Sequence, residues 1–510
     1  YLNIDCGSSK SYEDEKSIVW TGDDNYIKTG EPHSVQSAKY SVSHVMDTMR
    51  VFTTRKKNCY HIDDSSVKQG QRVLVRASFL YGNYDNKSSP PKFDLFIEDT
   101  EWEAVETSMF EVVYYEVIYV LDKDSISVCV SRSSLGIPFI SALEVRGLTF
   151  SMYPYQYLND GKNYPLFLRR RVAFGSNQTI RYPTDPYDRI WTIDNNYTSF
   201  IPLSNEATFS NNGVRLGQEP PLAVLKHAVT VAPQNYIVFP VGIYFPVKQL
   251  AYYTAYFSEV TQLRPTQKRS FRIHHDNNPY SQPIVPPYGD YIERYSDYIT
   301  FSKDSNLFIT ADDDSTLPPL INALEIFAVG KPLINGTDDR DVQGLASLQK
   351  AFPVLQEWTG DPCLPRINNA WEWVGCNDYN YKPRPRVTHL ALGGYGLSGV
   401  IPDFSSMDAL YSIDLSNNSL KGPIPDFITR LPNLMILDVS YNQLNGSILA
   451  PFATKLGLGL RVAGNPDLCV EGKYTSCRPA YSCGRKMNIN VMTILFGSII
   501  PIIITSYTLF

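Results

Sequence analysis

Excess basic charge is missing from this sequence: 46 Lys and Arg stand against 52 Asp and Glu, a formal net charge of -6 at pH 7. Without a basic stripe nothing is in place to neutralise a phosphate backbone, so nucleic acid is excluded as a partner. Helical periodicity is scarce as well. A chain with 35 Tyr and 35 Pro favours strands and turns, and all-β domains are predicted. Signatures of catalysis are missing too: there is no Gly-x-Ser-x-Gly elbow, no zinc-protease helix, and no Gly-rich loop with Val-Ala-x-Lys, His-Arg-Asp or Asp-Phe-Gly. Two tempting clusters do not make metal sites. His274 and His275 point to opposite faces of a strand and find no third ligand beside Asp276, and Asp312, Asp313 and Asp314 lack the alternating ligands and terminal Glu of a calcium loop. A glycosidase would need two carboxylates about 5–10 Å apart, and no pattern here singles out such a pair. No catalytic residue, metal or cofactor is expected.

What is present begins with a repeat. Leu390-Ala-Leu392 with Leu397-Ser-Gly399-Val-Ile401-Pro402 is followed by Ile413-Asp-Leu415 with Leu420-Lys-Gly422-Pro-Ile424-Pro425, then by Leu437-Asp-Val439 with Leu444-Asn-Gly446-Ser-Ile448. Leu390, Ile413 and Leu437 fall 23 and 24 residues apart, the period of a leucine-rich repeat. One such unit cannot bury its strand leucines alone, so three stacked units are expected to share a core. Asn418 and Asn442 occupy the position that satisfies backbone groups at the turn, where the first unit has Tyr395. Residues expected to point out of the strands are His389, Ala391 and Gly393, then Ser412, Asp414 and Ser416, then Ile436, Asp438 and Ser440. Mostly small, they offer no Trp, Tyr or Arg anchor for a peptide, and they fit one side of a composite contact or a rigid spacer.

The compartment is legible in three features. Cys363 and Cys376 bracket the start of the repeats and Cys469 and Cys477 follow their end, where a solenoid core needs capping, so two cap disulfides are expected. Cys59 with Cys129 is the preferred third pair; Cys6 and Cys483 stay unassigned. Asn-x-Ser/Thr acceptors occur at Asn86, Asn177, Asn196, Asn335, Asn417 and Asn445, as in a glycosylated, secreted chain. The chain also begins at Tyr1 without Met, as after removal of a signal peptide. Val491 to Phe510 carries no charge and is about long enough to cross a bilayer as a helix. Ser482-Cys483-Gly484, a short polar spacer and that apolar run equally fit a removable lipid-anchor signal. A membrane anchor is expected, its type open.

At 510 residues the chain exceeds one hydrophobic core, and its first two-thirds hold a duplication. Pro138-Phe-Ile-Ser-Ala-Leu-Glu-Val145 matches Pro319-Leu-Ile-Asn-Ala-Leu-Glu-Ile326 at an offset of 181, and Ala77-Ser-Phe-Leu-Tyr81 is placed like Ala255-Tyr-Phe-Ser-Glu259. Alternating stretches at Phe93–Ile97 and Phe271–Ile273 complete two β-sandwich patterns.

Asn3-Ile-Asp-Cys-Gly7, Trp20-Thr-Gly-Asp-Asp24, Asn58-Cys-Tyr60, Val75-Arg-Ala-Ser-Phe79, Phe93-Asp-Leu95 and Leu317-Pro-Pro-Leu-Ile-Asn-Ala-Leu-Glu325 resemble a plant malectin-like domain. With Gly360-Asp-Pro-Cys363 and the repeats, the order is similar to the ectodomain of malectin-like leucine-rich repeat receptor kinases such as the symbiosis receptor kinase, without the kinase. The resemblance implies a receptor-like protein on the extracellular face of the plasma membrane, binding a cell-wall carbohydrate or a secreted peptide and working through a partner receptor kinase. The alternative is a ligand-independent scaffold for another ectodomain; a glycan-active enzyme comes last. The family takes its name from an animal domain that binds a disaccharide with loop aromatics, which makes Tyr26 beside Asp23 and Asp24, and Tyr81 and Tyr84 beside Asn83 and Asp85, the candidate sugar ledge. The cleft between the two copies is the other candidate.

The fold expected is mainly β: two tandem malectin-like sandwiches (1–155 and 156–335), a linker and Cys-containing cap (336–386), an α/β-type leucine-rich repeat solenoid with its C-terminal cap (387–478), a spacer (479–490) and a hydrophobic anchor (491–510).

Overall fold

The computed structural model describes residues 1–470 apart from 64–66, 99, 134–135, 155–162, 195–199, 205–216, 233–234, 277, 297–298, 334–335, 365–370, 378–383, 449–451 and 453–456. Cys477, Cys483, Asn196, Asn335, the spacer and the run Val491 to Phe510 lie outside the described residues, and the Cys469–Cys477 pairing with them. Among the described residues no helix is long and apolar enough to cross a membrane.

Strands dominate, and one sheet of eleven runs through the first two-thirds of the chain. Its middle is built from Ala142–Leu148, Arg72–Phe79, Val113–Val120, Leu166–Ala173, Ala323–Val329 and Gln249–Phe257, in that order across the sheet. The duplication is visible in the register: Leu143 pairs with Ala77 in the first copy, and Leu324 with Ala255 in the second. The copies do not face each other across a cleft. They join edge to edge, Val117 against Phe167 and Ile118 against Leu166, which corrects the expectation of a site between them.

Each copy packs a four-stranded sheet against this long one: Lys57–Ile62, Ile126–Ser131, Lys92–Ile97 and Thr100–Glu106 in the first, Tyr236–Phe239, Leu307–Ala311, Phe271–His275 and Asn278–Pro279 in the second. The period of two decides which residues meet. Val73, Val75, Ala77 and Phe79 of one strand face Phe93, Leu95 and Ile97 of the opposing sheet, all within one buried cluster. The alternate residues, Arg72, Leu74, Arg76 and Ser78, are buried too, because the segment following residue 148 covers the sheet's other face.

The helix Asp339–Ala351 leads into the repeats. Asp338 accepts from the Arg340 backbone N–H as its N-cap, acids Asp339 and Asp341 sit in its first turn and Lys350 in its last, each matched to the helix dipole. Buried Asp341 accepts from the Val387 N–H at 2.8 Å, so the helix is hydrogen-bonded to the first repeat strand. The solenoid then stacks parallel strands Val387–Ala391, Ser412–Asp414, Ile436–Asp438 and Gly459–Arg461, with Val374–Cys376 antiparallel on the outer edge. There are four coils here, one more than expected. The last strand sets Leu460 in register with Leu437 and has no Gly-x-Ile-Pro after it, but Asn465 repeats the ladder, accepting from the Leu444 N–H at 3.0 Å as Asn442 does from Leu420 and Asn418 from Leu397.

Candidate recognition surfaces

The candidate sugar ledge turns inward. Asp23 has no exposed surface because its carboxylate accepts from Arg50 Nε at 2.6 Å, from the Tyr60 hydroxyl at 2.8 Å and from the Gly7 N–H at 2.9 Å. Tyr81 is fully buried; its hydroxyl donates to Asp85 and Asn83, and burial together with the Asp85 carboxylate pushes that phenol up to about 12. Asn83 is 5% exposed, accepting from the Ser88 N–H and donating to Gln36. Tyr26 and Tyr84 are half-buried and pack on the sandwich core, Tyr84 edge-on to Tyr81 and Phe139. Asp24 alone of the set is open, with Oδ1 held at 2.9 Å from Arg50. Tyr81 has no free face on which a sugar would stack, so the expectation of a ledge is corrected at that ring, while Tyr26 and Tyr84 keep part of their surface exposed; Asp23, Asn83 and Asp85 are partners of an internal hydrogen-bond network.

The seam between the copies carries a second network that sequence reasoning missed. Arg76 reaches Glu116 at 2.8 Å and Glu144 and Asp188 at 3.1 Å; Arg146 reaches Glu144 at 2.8 Å and Asp188 at 3.0 Å. Arg171 lies between Glu116 of the first copy and Glu325 of the second, its Nε 2.6 Å from Glu325. Tyr153 and Tyr256 donate to the two oxygens of Glu325 at 2.9 and 2.7 Å. Burial alone would raise the Glu116 carboxyl; Arg171 and Arg76 outweigh it and hold the group below its usual range. The same contest, with Arg76 and Arg181 opposing burial, lowers Asp188. The one sequence signal was the repeated Ala-Leu-Glu, which puts Glu144 and Glu325 at equivalent places.

His275 sits on the edge of the second copy, its Nε2 2.9 Å from the Tyr253 hydroxyl and its ring 3.9 Å from that of Tyr280. Burial pushes it down to about 4.

The repeats present the open surface. His389, Ser412, Ile436 and Gly459 are in register, as are Ala391, Asp414, Asp438 and Arg461. Asp414 and Asp438 each accept from a serine hydroxyl two residues on, Ser416 at 2.7 Å and Ser440 at 2.6 Å. Ser440 is 7% exposed, so it is part of the wall and not of the outward face; its carbonyl is taken by Asn417 and Asn442. The face does have anchors. Tyr411 and Met435, one residue before their strands, are 45% and 36% exposed, Ile436 is 40% and Tyr441 65%; Tyr411 lies beside His389, ring centroids 5.7 Å apart. Arg461 borders Asp438 at 3.4 Å. Counting only strand positions hid Tyr411, Met435 and Tyr441. Along the flank Arg386, Thr388, Asp408, Pro432 and Asn433 line a groove of about 340 Å³. The described glycan acceptors Asn86, Asn177, Asn417 and Asn445 are all exposed.

Disulfides close Cys59–Cys129 and Cys363–Cys376; Cys6 is buried without a disulfide partner. Among the described residues no three His, Cys, Asp or Glu side chains gather as for a metal.

Comparison with known proteins places this geometry. The malectin-like domain model matches residues 4–329 and the leucine-rich repeat model residues 409–431. A probable LRR receptor-like serine/threonine-protein kinase of Arabidopsis thaliana is 33% identical over 485 residues, 89% of this chain and 49% of the relative; a putative leucine-rich repeat receptor-like serine/threonine-protein kinase of the same plant is 32% identical over 498 residues, 94% and 55%. The chain thus spans about half the length of these curated relatives. Among solved structures, the Arabidopsis ANX2 ectodomain shares the fold at a TM-score of 0.53 and 19% identity, over 65% of this chain and 97% of that one. FER-type architecture is similar too: the complex of plant peptide RALF23 with FER and LLG2 matches at a TM-score of 0.52 and 16% identity, over 64% and 94%. With the family model covering well over half of its length and both halves of the architecture present, the chain belongs to the malectin-like domain family, in the arrangement that joins this domain to leucine-rich repeats.

Proposed function

We propose that this chain is the extracellular recognition part of a receptor-like protein, non-enzymatic, held at the plasma membrane by its apolar C-terminal run and acting on a secreted peptide together with a partner receptor. The observation that carries the reading is the strip on the repeats where Tyr411, Met435 and Ile436 stand open beside the carboxylates of Asp414 and Asp438. Exposed aromatic and aliphatic anchors next to charged groups are the composition of a binding hot spot. The relatives are receptor-like kinases, and the FER neighbour is a peptide-bound assembly, which with the burial of Tyr81 supports the peptide over the carbohydrate.

The test is calorimetric titration of the secreted chain against panels of secreted plant peptides and of cell-wall oligosaccharides. Saturable binding of a peptide, weakened by about 2 kcal/mol or more in Tyr411→Ala, is the expected result. Binding of an oligosaccharide that Tyr411→Ala and Ile436→Asp leave intact would overturn the reading.

A further inference from the structure

Among the described residues, the first sandwich meets the cap of the repeats around one short segment, Trp358 to Leu364, with Glu357 and Glu372 reaching Arg55 and the Lys56 N–H beside it. Gly360 has φ +75, and a Cβ there would lie 2.7 Å from Cys59 Sγ and 3.5 Å from Cys129 Sγ; the glycine is seated directly on the disulfide of the first sandwich. Thr359 donates its hydroxyl to the Cys59 carbonyl at 2.9 Å. From the sandwich side, Lys57 donates to the carbonyls of Asp361, at 3.2 Å, and Leu364, and the Arg55 guanidinium lies 4.4 Å over the Trp358 ring while pairing with Glu357.

The far side is braced as firmly. Asp361 Oδ1 accepts from the Thr337 hydroxyl at 2.6 Å and from the N–H groups of Cys363 and Leu364 at 2.8 and 2.9 Å, and its Oδ2 from the Thr337 N–H at 2.7 Å. Cys363 is bonded to Cys376 of the first solenoid strand, and Trp358, Trp371 and Trp373 run as a file of rings into the solenoid core. A flexible linker would show exposed backbone and few long-range bonds. This one is tied on both sides.

We infer that the Trp358–Leu364 segment is a rigid coupling joint, with the Cys59–Cys129 disulfide as its seat, and that the sandwich pair and the repeats move as one body. The disulfide then has a task beyond stapling its own sheet: it is the floor against which Gly360 closes. A partner that touches both domains meets a preorganised surface and loses no domain-orienting entropy on binding. The inference does not depend on which face binds.

The experiment compares the wild-type chain, Gly360→Ala and Lys57→Met by hydrogen exchange and small-angle scattering under non-reducing conditions. Wild type should scatter as a single rigid particle with slow exchange at the Cys363 and Leu364 amides. Both variants should exchange there roughly five- to tenfold faster, about one hydrogen bond's worth of local opening, with scattering that broadens and with the Arg72–Phe79 strand as protected as in wild type. Lys57→Met leaves the backbone undisturbed, so it carries the test if Gly360→Ala is not secreted. Wild-type scattering that requires many domain arrangements, or variants with unchanged exchange and scattering, would overturn the joint.

Discussion

Single side chains decide more here than their types announce. Asn442 accepts from the Leu420 N–H and donates Nδ2 toward the carbonyls of Leu415, Val439 and Ser440, all buried between coils. Asn442→Ala leaves those groups without partners and should cost about 2–3 kcal/mol, read as a shift of the denaturant midpoint at constant slope; a shift equivalent to less than about 0.5 kcal/mol, the level of a neutral surface change, would show that the ladder is not holding the turns. His275 sets a pH dependence. Its folded value of about 4 lies below the ordinary histidine range, so the unfolded chain takes up the proton first and stability falls as pH drops from about 6.5 toward 4. Above that window His275 contributes no slope. His275→Phe should flatten this limb in unfolding experiments, and an unchanged limb would mean that the ring titrates freely. The same scale explains what was illegible. A tyrosine next to an aspartate reads equally as a sugar ledge or as an internal bond, and for Asp23 the choice was made by Arg50 and Tyr60, far along the chain on neighbouring strands.

At the level of elements, the long sheet owes its continuity to the strand pair at Val117–Phe167 and to Arg171, which bridges acids of both copies. Arg171→Ala strands Glu325 and weakens Glu116 in the interior, a change expected to cost about 3–5 kcal/mol and to be visible as a lowered unfolding midpoint; a loss under about 1 kcal/mol would show that the copies are held by strand pairing alone. Because Arg76 and Arg171 depress Glu116, and Arg76 and Arg181 depress Asp188, their stabilisation is present above the ordinary carboxylate range near pH 4 and is lost below it. That window sits under the one assigned to His275, so the two can be separated. The strands themselves were largely readable: the Ala-Leu-Glu match predicted equivalent strands, and the register places Leu143 and Leu324 alike. The fourth coil was less readable, since no Gly-x-Ile-Pro follows Leu460-Arg-Val462 to mark the unit. Nor was the edge-to-edge joining of the copies, which depends on which strand edges remain free after each sheet closes.

For the molecule as a whole, Asp23 and Tyr81 of the first sandwich are internal, whereas the repeats expose Tyr411, Ile436 and Tyr441. The rigid seam at Gly360 then fixes the direction in which that face looks relative to the long sheet. Leucine spacing made the repeats legible because it is local; the anchors Tyr411, Met435 and Tyr441 were missed because they flank the strands instead of lying on them. The central claim is that recognition occurs on this face, and the most direct measurement is the hydrogen-exchange footprint of a peptide identified by titration on the full chain. Slowed exchange at Ser412–Asp414 and Ile436–Asp438, with the sandwich loops around Tyr26 and Tyr84 unchanged, is the predicted result. Slowed exchange confined to those loops, with the repeat strands unaffected, would contradict the account.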